Sequence, residues 1–169
     1  FPHTETPDGE TPFSQLSRLA FEGAKKRCRP LTPEVMRRLA YELEVIEKRN
    51  FPEYFLIVED IVRFARARGI SVVGRGSAAD SLVAYCLGIT IVDPIAHDLY
   101  FERFLNLSRT DCPDIDLDIC WRRRDEVIEY VYKRYGHTNV AMISTHVTYR
   151  ARNAFRDVAR VFGLSVEEV

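Results

Sequence analysis

The stretch PDIDLDICWRRRDEVIEYVYKRYG, residues 113–136, joins a strand pattern to a helix pattern and decides how the fold is interpreted. Its first part alternates apolar residues with aspartates: Ile115, Leu117, Ile119 and Asp114, Asp116, Asp118. Successive side chains of a strand point to opposite faces, so the apolar residues can pack into a core while the carboxylates share the other face. Residues 122–135 then have helical periodicity, and the pattern ends at Gly136.

Three carboxylates on one strand face need a counter-charge. Neighbouring aspartates would lie about 6.5 to 7 Å apart at Cα, and like charges on one face repel. Two divalent cations bridged by the carboxylates would relieve this repulsion and form a two-metal centre for phosphoryl transfer. The alternative is an exposed edge strand that Asp keeps soluble, with Arg122, Arg123 and Arg124 as surface partners.

A second motif, VVGRGSAADS at residues 72–81, predicts a strand, a tight turn and a helix start. Its glycines let the backbone approach a ligand, Ser77 can hydrogen-bond phosphate oxygens, and Arg75 adds positive charge. It is not a Walker A loop, because no Gly-Lys-Ser/Thr follows. Asp80 would favour the helix dipole but repel a phosphate lying very close. A plain strand-to-helix turn with Ser as N-cap explains the same residues.

The rest of the chain mixes helix and strand patterns, which indicates an α+β or α/β layered domain built on a mixed sheet with flanking helices. The helix patterns cover residues 12–28, a segment starting at the N-cap Thr32, and residues 53–68, 77–88, 122–135 and 148–162; the strand patterns cover residues 70–73, 114–119 and 139–144.

The last helix pattern, residues 148–162, is amphipathic. We expect its buried side to carry Ala151, Phe155, Val158 and Phe162 and an adjacent stripe to carry Arg152, Arg156 and Arg160.

The formal net charge of −1 conceals a basic region. Residues 121–162 carry nine Lys or Arg against four Asp or Glu, which favours a polyanionic partner such as a nucleic acid. A solvated basic helix face is the alternative interpretation of the same charges.

Composition also indicates the environment of the protein. No apolar run is long enough to cross a bilayer, and the first residues lack a signal-peptide pattern, so we expect a cytoplasmic protein without a membrane partner. The four cysteines show no CxxC spacing and predict buried free thiols rather than disulfides or a zinc site: Cys28, Cys86, Cys112 and Cys120.

Three segments carry a resemblance to a known family: YFLIVEDIVRFARARGISVVGRGSAADSLVAYCLGIT, VDPIAHDLYFERFLN and PDIDLDICWRRRDEVIEYVYKRYG. In this order they closely resemble the palm region of the alpha subunit of bacterial DNA polymerase III, the C-family DNA polymerases. The resemblance implies a nucleotidyltransferase palm of the polymerase-beta type. It also implies a palm at 11–138 and the start of a thumb at 139–169, while the polar, Pro- and Gly-rich composition of residues 1–10 suggests a linker from an upstream domain. Within the palm, 11–69 would be the helical part and 70–138 the nucleotidyltransferase core.

The resemblance also implies roles for individual residues. Asp116 and Asp118 match the catalytic metal-binding aspartates, and Asp114 matches an acidic neighbour that is not usually a ligand. Gly76 and Ser77 match the motif that holds the triphosphate of the incoming nucleotide, with Arg75 as a helper. The implied reaction is transfer of dNMP from a dNTP to a primer 3′-hydroxyl, with two Mg²⁺ ions.

The implied partners are primer-template DNA, a dNTP and other polymerase subunits such as a sliding clamp. We expect Arg152 and Arg156 to contact the DNA. The third catalytic carboxylate of the family would lie beyond Val169, so we expect the isolated 169 residues to have no useful polymerase activity.

Two positions depart from the pattern of many replicative members: Val73 stands where they have Pro, and Asp80 where they have Gly. Together with THVTYRARNAFRDVARVFGL, residues 145–164, this pattern is similar to the error-prone, damage-associated branch. Two other functions explain parts of the sequence: a different two-metal nucleotidyltransferase, and a non-catalytic nucleic-acid-binding module whose aspartates are structural.

Overall fold

A computed structural model describes residues 2, 9–108, 111–165 and 167 of the chain. The described elements follow in the order α1 Pro12–Arg27, α2 Pro33–Lys48, α3 Pro52–Ala67, β1 Val72–Arg75, a 3-10 helix Gly76–Asp80, α4 Leu82–Cys86, a 3-10 helix Phe101–Arg103, β2 Asp116–Ile119, α5 Arg124–Tyr135 and α6 Ala151–Val161. This mixture confirms the α+β class. Most of the linker predicted at 1–10 lies outside the described residues.

The first three helices begin where proline and capping residues predict. Thr11 accepts a hydrogen bond from the backbone N–H of Ser14, and Thr32 accepts one from Val35. Each of α1, α2 and α3 has proline at its start, where the missing N–H costs nothing and the fixed φ suits a helix. The N-cap predicted at Thr32 is therefore confirmed.

The sheet consists of β1 and β2 in antiparallel pairing, with Val73 opposite Asp118 and Arg75 opposite Asp116. The prediction of a mixed sheet is wrong for the described part of the chain. The predicted strand at 139–144 has no strand partner there; it is irregular and mostly exposed. The strand predicted at 70–73 lies two residues later, because Ile70 still bonds to the end of α3 through Ala65 O.

The helix predicted over 77–88 is divided into the 3-10 helix and α4. Ser81 between them is extended, with φ −99° and ψ 123°, and its hydroxyl accepts a hydrogen bond from Ala84 N. The side chain of Ser81 thus caps α4, and the chain begins a new helix there instead of continuing the 3-10 helix.

The core lies between α1, α2, α3, α4 and β1. Its largest fully buried side chains include Leu16, Leu39, Phe55, Phe101 and Phe104. Phe104 contacts Phe55 and Phe101 edge to face, with ring centroids 6.0 and 6.2 Å apart. This arrangement fixes the segment that follows α4 against the helical part of the chain.

The buried side predicted for the last helix is wrong. Phe155 is 61% exposed, Val158 53% and Phe162 81%, whereas Ala159 is buried. No described element packs closely on this face of α6, so its apolar side chains remain at the surface.

All four cysteines are free. Cys28 and Cys86 are buried as predicted, while Cys120 is half-buried and Cys112 is exposed, which corrects the prediction for Cys112. Within the described ranges, no helix is both long and apolar enough to span a membrane.

Candidate metal and nucleotide site

Asp116 and Asp118 project from one face of β2, with their side chains 46% and 60% exposed. The opposite face carries Leu117 and Ile119, which pack partly buried against the core, as the alternating pattern predicts. Asp114 precedes the strand and is exposed. Two carboxylates therefore point from the same face of a strand towards solvent.

Arg75 neutralises both of these carboxylates. Its Nε donates to Asp118 Oδ1 at 3.0 Å, and its Nη1 lies 3.4 Å from Asp116 Oδ2. The hydrogen bond to Asp118 and the nearby negative charges raise the pKa of the Arg75 guanidinium. The register requires this contact, because Arg75 stands directly opposite Asp116.

The Gly-Ser turn begins next to the same carboxylates. Gly76 has φ +66°, a left-handed conformation that favours glycine, and a Cβ there would lie 3.6 Å from Asp116 Oδ2. Ser77 follows and is half-buried. The structure thus brings the predicted residues Arg75 and Gly76 next to Asp116 and Asp118, and Ser77 follows Gly76 directly in the turn.

Gly74 fixes the position of β1 relative to the segment after α4. Its N–H donates to Ile89 O at 2.7 Å, and a Cβ would lie 2.9 Å from the same oxygen. A side chain at this position would separate the two segments, so the close approach requires glycine.

Glu42, on α2, anchors the helix that follows the turn. Its side chain is fully buried, and its Oε2 accepts hydrogen bonds from Ser81 Oγ at 2.9 Å and Val83 N at 3.1 Å. Arg38 Nε donates to the other oxygen at 2.6 Å. Burial raises the pKa of Glu42, although the bonds to Arg38 and to the backbone oppose the rise.

The start of α4 is therefore already capped by a carboxylate. A phosphate would have to bind to the turn itself and not to the first turn of α4.

Two arginines connect the 3-10 helix Gly76–Asp80 with the region around the 3-10 helix Phe101–Arg103. Arg38 Nη2 donates to Asp80 O at 3.1 Å and to Leu99 O at 3.0 Å. The Asp80 carboxylate is buried, and its Oδ2 lies 3.8 Å from Arg103 Nε. Asp80 is thus a buried carboxylate that pairs with the cation of Arg103.

The three arginines after β2 do not pair with Asp116 or Asp118 within the described residues, so the alternative in which they are surface partners of the strand aspartates is not supported. Arg123 donates to Arg68 O at 2.8 Å and binds both oxygens of Glu126, which joins the ends of α3 and α5. Arg122 lies over the ring of Trp121, and Arg124 pairs with Asp125.

The hydroxyl of Tyr54, on α3, binds the backbone just before β2. Tyr54 OH accepts a hydrogen bond from Ile115 N at 3.1 Å, and burial raises the pKa of Tyr54 to about 12. The phenol therefore stays protonated at neutral pH and fixes the backbone just before Asp116.

The donor set is suited to a hard divalent cation but is small. Carboxylate oxygens are the ligands that Mg²⁺ prefers. Across residues 2, 9–108, 111–165 and 167, no group of three or more His, Cys, Asp or Glu side chains is arranged to hold a metal ion. Asp116 and Asp118 could hold cations only together with further oxygen ligands.

Arg152 and Arg156 lie exposed on α6. Within the described residues α6 has no hydrogen bond or ion pair with either strand. The structure therefore does not bring these two arginines to the site around Asp116.

Sequence reasoning overlooked Glu42 and the bridging role of Arg75. Glu42 interrupts the apolar stripe of α2, three residues after Leu39 and four before Ile46, and Arg38 lies four residues earlier. A charged pair at this spacing on an apolar face was the available signal. For Arg75 no local signal existed, because its contacts depend on the register between residues 43 positions apart.

The fold and site together define an α+β domain that presents paired carboxylates beside a glycine-serine turn. The model of the family described as "Bacterial DNA polymerase III alpha NTPase domain" matches residues 14–169, and the chain belongs to this family. The expected family is thus confirmed.

Curated relatives of similar sequence carry two names. The chain is 51% identical over 96% of its length to an error-prone DNA polymerase of Symbiobacterium thermophilum, and 52% identical over 97% to one of Cutibacterium acnes. It is also 51% identical over 99% of its length to the DNA polymerase III subunit alpha of Bacillus subtilis. The chain covers 15%, 14% and 15% of these relatives.

Proposed function

We propose that the chain is the palm region of a DNA-directed DNA polymerase, with the polymerase-beta type of nucleotidyltransferase core at 70–138, the helical part at 11–69 and the start of the thumb at 139–169. The observation that carries the proposal is the contact between Arg75 and both Asp116 and Asp118. This contact places a glycine-serine turn and two exposed carboxylates at one point of a family member that matches over 14–169.

Asp116 and Asp118 would hold two Mg²⁺ ions together with oxygen ligands from elsewhere. The ions, when bound, activate the primer 3′-hydroxyl and support the leaving pyrophosphate. Gly76 leaves room for a phosphate beside the carboxylates, and Ser77 donates its hydroxyl to a phosphate oxygen.

Arg75 has a second role in this proposal. In the structure its guanidinium neutralises the two aspartates, and both partners are more than 40% exposed. The side chain can turn from the carboxylates to the triphosphate when cations replace it, because its contacts lie at the surface and are weakly held.

The proposed partners are primer-template DNA, a dNTP and other polymerase subunits such as a sliding clamp, and the proposed location is the cytoplasm. Arg152 and Arg156 are exposed on α6 and are proposed to contact DNA phosphates. The names of the relatives include both error-prone DNA polymerase and DNA polymerase III subunit alpha at equal identity, so the proposed likeness to the error-prone branch rests on Val73, Asp80 and the segment 145–164.

Primer extension by the full-length polymerase tests the proposal. Asp116→Asn/Asp118→Asn is expected to lower dNTP incorporation by about 1000-fold or more while DNA binding persists, since the carboxylates act on the transition state. Asp114→Asn is the matched control and is expected to retain incorporation. Equal Mg²⁺ binding and incorporation in the wild type and the double variant would contradict the proposal and favour structural aspartates.

The isolated 169-residue chain is expected to extend no primer, because the third catalytic carboxylate of the family is proposed to lie outside it. The same primer-extension measurement on this chain checks the expectation. Incorporation above that of the double variant would contradict it.

A further inference from the structure

A recess of about 390 Å³ lies between α1, α3 and the end of α4, away from the site at Asp116. We call it the basic recess because Lys26, Arg27 and Arg66 line it. Its remaining wall includes two acidic side chains and the backbone at the end of α4: Glu22, Glu59 and residues 86–88.

The two guanidinium groups are held in place by backbone carbonyls. Arg27 Nη2 donates to Thr90 O at 3.1 Å, and Arg66 Nη2 donates to Gly88 O. The Arg27 guanidinium also lies 4.3 Å from the ring centroid of Tyr85. A Cβ on Gly88 would contact Nη1 of both arginines, so the two cations converge on one point.

The positive charge of the basic recess is not balanced by its acids. Glu22 pairs with Arg18 at 3.4 Å, and Glu59 pairs with Arg63 at 3.3 Å. Among the described residues no carboxylate lies within ion-pair distance of the three basic side chains that line the recess. Burial and the neighbouring Arg27 lower the pKa of Arg66, as expected for two nearby cations that have no paired carboxylate.

One buried donor of Arg27 has no partner. Arg27 Nε is buried and has no hydrogen bond in the described structure. A buried unsatisfied donor is costly, and capping of the carbonyls of Gly88 and Thr90 accounts for only one nitrogen of each arginine.

We propose that the basic recess binds a phosphate group. Arg guanidinium groups match phosphate oxygens in geometry and charge, and a phosphate would lie between two like charges that have no paired carboxylate. The groups are already oriented, so little side-chain entropy remains to be lost on binding. This site is independent of metal and of the proposed polymerase reaction.

Thermal unfolding in inorganic phosphate tests the proposal on the 169-residue chain. Phosphate at about ten times its Kd is expected to raise the Tm by about 3 to 6 °C relative to chloride at equal ionic strength. Arg27→Gln/Arg66→Gln is expected to abolish this rise. Each variant is also made in a Ser77→Ala background, which removes the hydroxyl of the candidate nucleotide turn. A rise in Tm that persists in this background belongs to the basic recess and not to that turn.

Lys26 and Lys25 provide a matched pair in case the arginine variants do not fold. Lys26 lines the recess whereas the adjacent Lys25 does not, and neither ammonium group has a hydrogen bond within the described residues. Lys26→Gln is expected to reduce the phosphate-dependent rise, and Lys25→Gln to retain it. Absence of a phosphate-specific rise in the wild type, or equal rises in both lysine variants, would overturn the proposal.

A second ligand distinguishes a phosphate group of nucleic acid from a free phosphate anion. Titration with a single-stranded oligonucleotide is expected to show a slope of log Kd against log salt that is shallower by about 0.7 in Arg27→Gln if the phosphate belongs to a nucleic acid. An unchanged slope together with a retained effect of inorganic phosphate would assign the site to a free phosphate anion.

Discussion

Glu42 places a carboxylate in the apolar interior, where three donors surround it. Arg38, Ser81 and Val83 satisfy its two oxygens, and the last two of these residues belong to the start of α4. One side chain on α2 therefore determines where α4 begins, and with it the direction of the turn that precedes α4. The residue is remote from the sheet carboxylates but positions the motif beside them.

Replacing Glu42 by Gln is expected to lower the free energy of unfolding by about 1 to 3 kcal/mol at pH 5, because the amide nitrogen accepts no hydrogen bond, whereas both oxygens of the carboxyl group can. Burial raises the pKa of Glu42 above its usual 4.5, so its favourable contribution is complete below that pH and decreases as pH rises through the folded-state pKa. The difference between wild type and variant should therefore become smaller from about pH 5 to pH 8.

Urea unfolding across this pH range measures the effect of Glu42. Glu44→Gln is the control, since Glu44 lies on the same helix but is exposed and pairs with Lys48. A difference for Glu42→Gln that grows with pH would show that the pKa is lowered by Arg38 instead.

Residues of the candidate site could be predicted where the spacing of neighbouring residues in the sequence identifies them. Alternation marked Asp114, Asp116 and Asp118 together, and the resemblance then separated Asp116 and Asp118 from Asp114. The structure places Gly76 of the second motif beside Asp116. The bridge from Arg75 depends on strand register between distant segments, so a local pattern could not reveal it.

The junction between α3 and α5 is built on one carboxylate. Tyr130 OH and Tyr135 OH donate to Asp60 Oδ2 at 2.6 and 2.8 Å, and Tyr130 stacks on Phe64 with ring centroids 3.8 Å apart. Burial, followed by the bond to Asp60, raises the pKa of Tyr130 to about 12. This junction fixes the helix that follows β2, and thus the strand itself.

Tyr130→Phe and Tyr135→Phe are each expected to lower the free energy of unfolding by about 1.5 to 3 kcal/mol, the range for hydrogen bonds to a charged group. The double variant should depart from the sum of the single effects, because both hydroxyls share Asp60 Oδ2. Chemical denaturation of the four proteins in this cycle measures the coupling.

Tyr132→Phe is the control for this cycle, since the hydroxyl of Tyr132 has no hydrogen bond within the described residues. Strictly additive effects of Tyr130 and Tyr135 would contradict a shared acceptor.

At the scale of elements, caps and periodicity predicted the first three helices and α5 closely. The prediction failed where side chains compete with the backbone, as at Ser81, and where an apolar run has no partner, as at 139–144. A strand needs a neighbour to satisfy its backbone, and no local pattern indicates whether a neighbour is present.

The whole molecule has a packed region and a terminal helix that is largely exposed. Residues 12–135 contain the core, whereas α6 exposes Phe155, Val158 and Phe162 on one side and Arg152 and Arg156 on another. Amphipathic periodicity predicted the helix correctly. Burial of its apolar side also requires another element to pack on it, and periodicity does not indicate whether such an element is present.

DNA binding by the full-length polymerase is expected to depend on the arginines of α6. Arg152→Ala/Arg156→Ala should reduce the slope of log Kd against log salt by about 2, because two phosphate contacts are lost. Fluorescence anisotropy at several salt concentrations measures the slope. Arg37→Ala, an exposed change on α2, serves as the control, and equal slopes in both variants would exclude α6 from the interface.

The antiparallel pairing of β1 with β2 has a consequence for protein engineering. The two halves of the candidate site reside on segments joined by a long connection, whose residues 106–108 and 111–112 are half-buried or exposed, and four residue pairs hold the strands in register. Insertion of a reporter peptide at this connection would leave both halves intact, whereas insertion between Val73 and Ser77 would destroy the register on which the site depends.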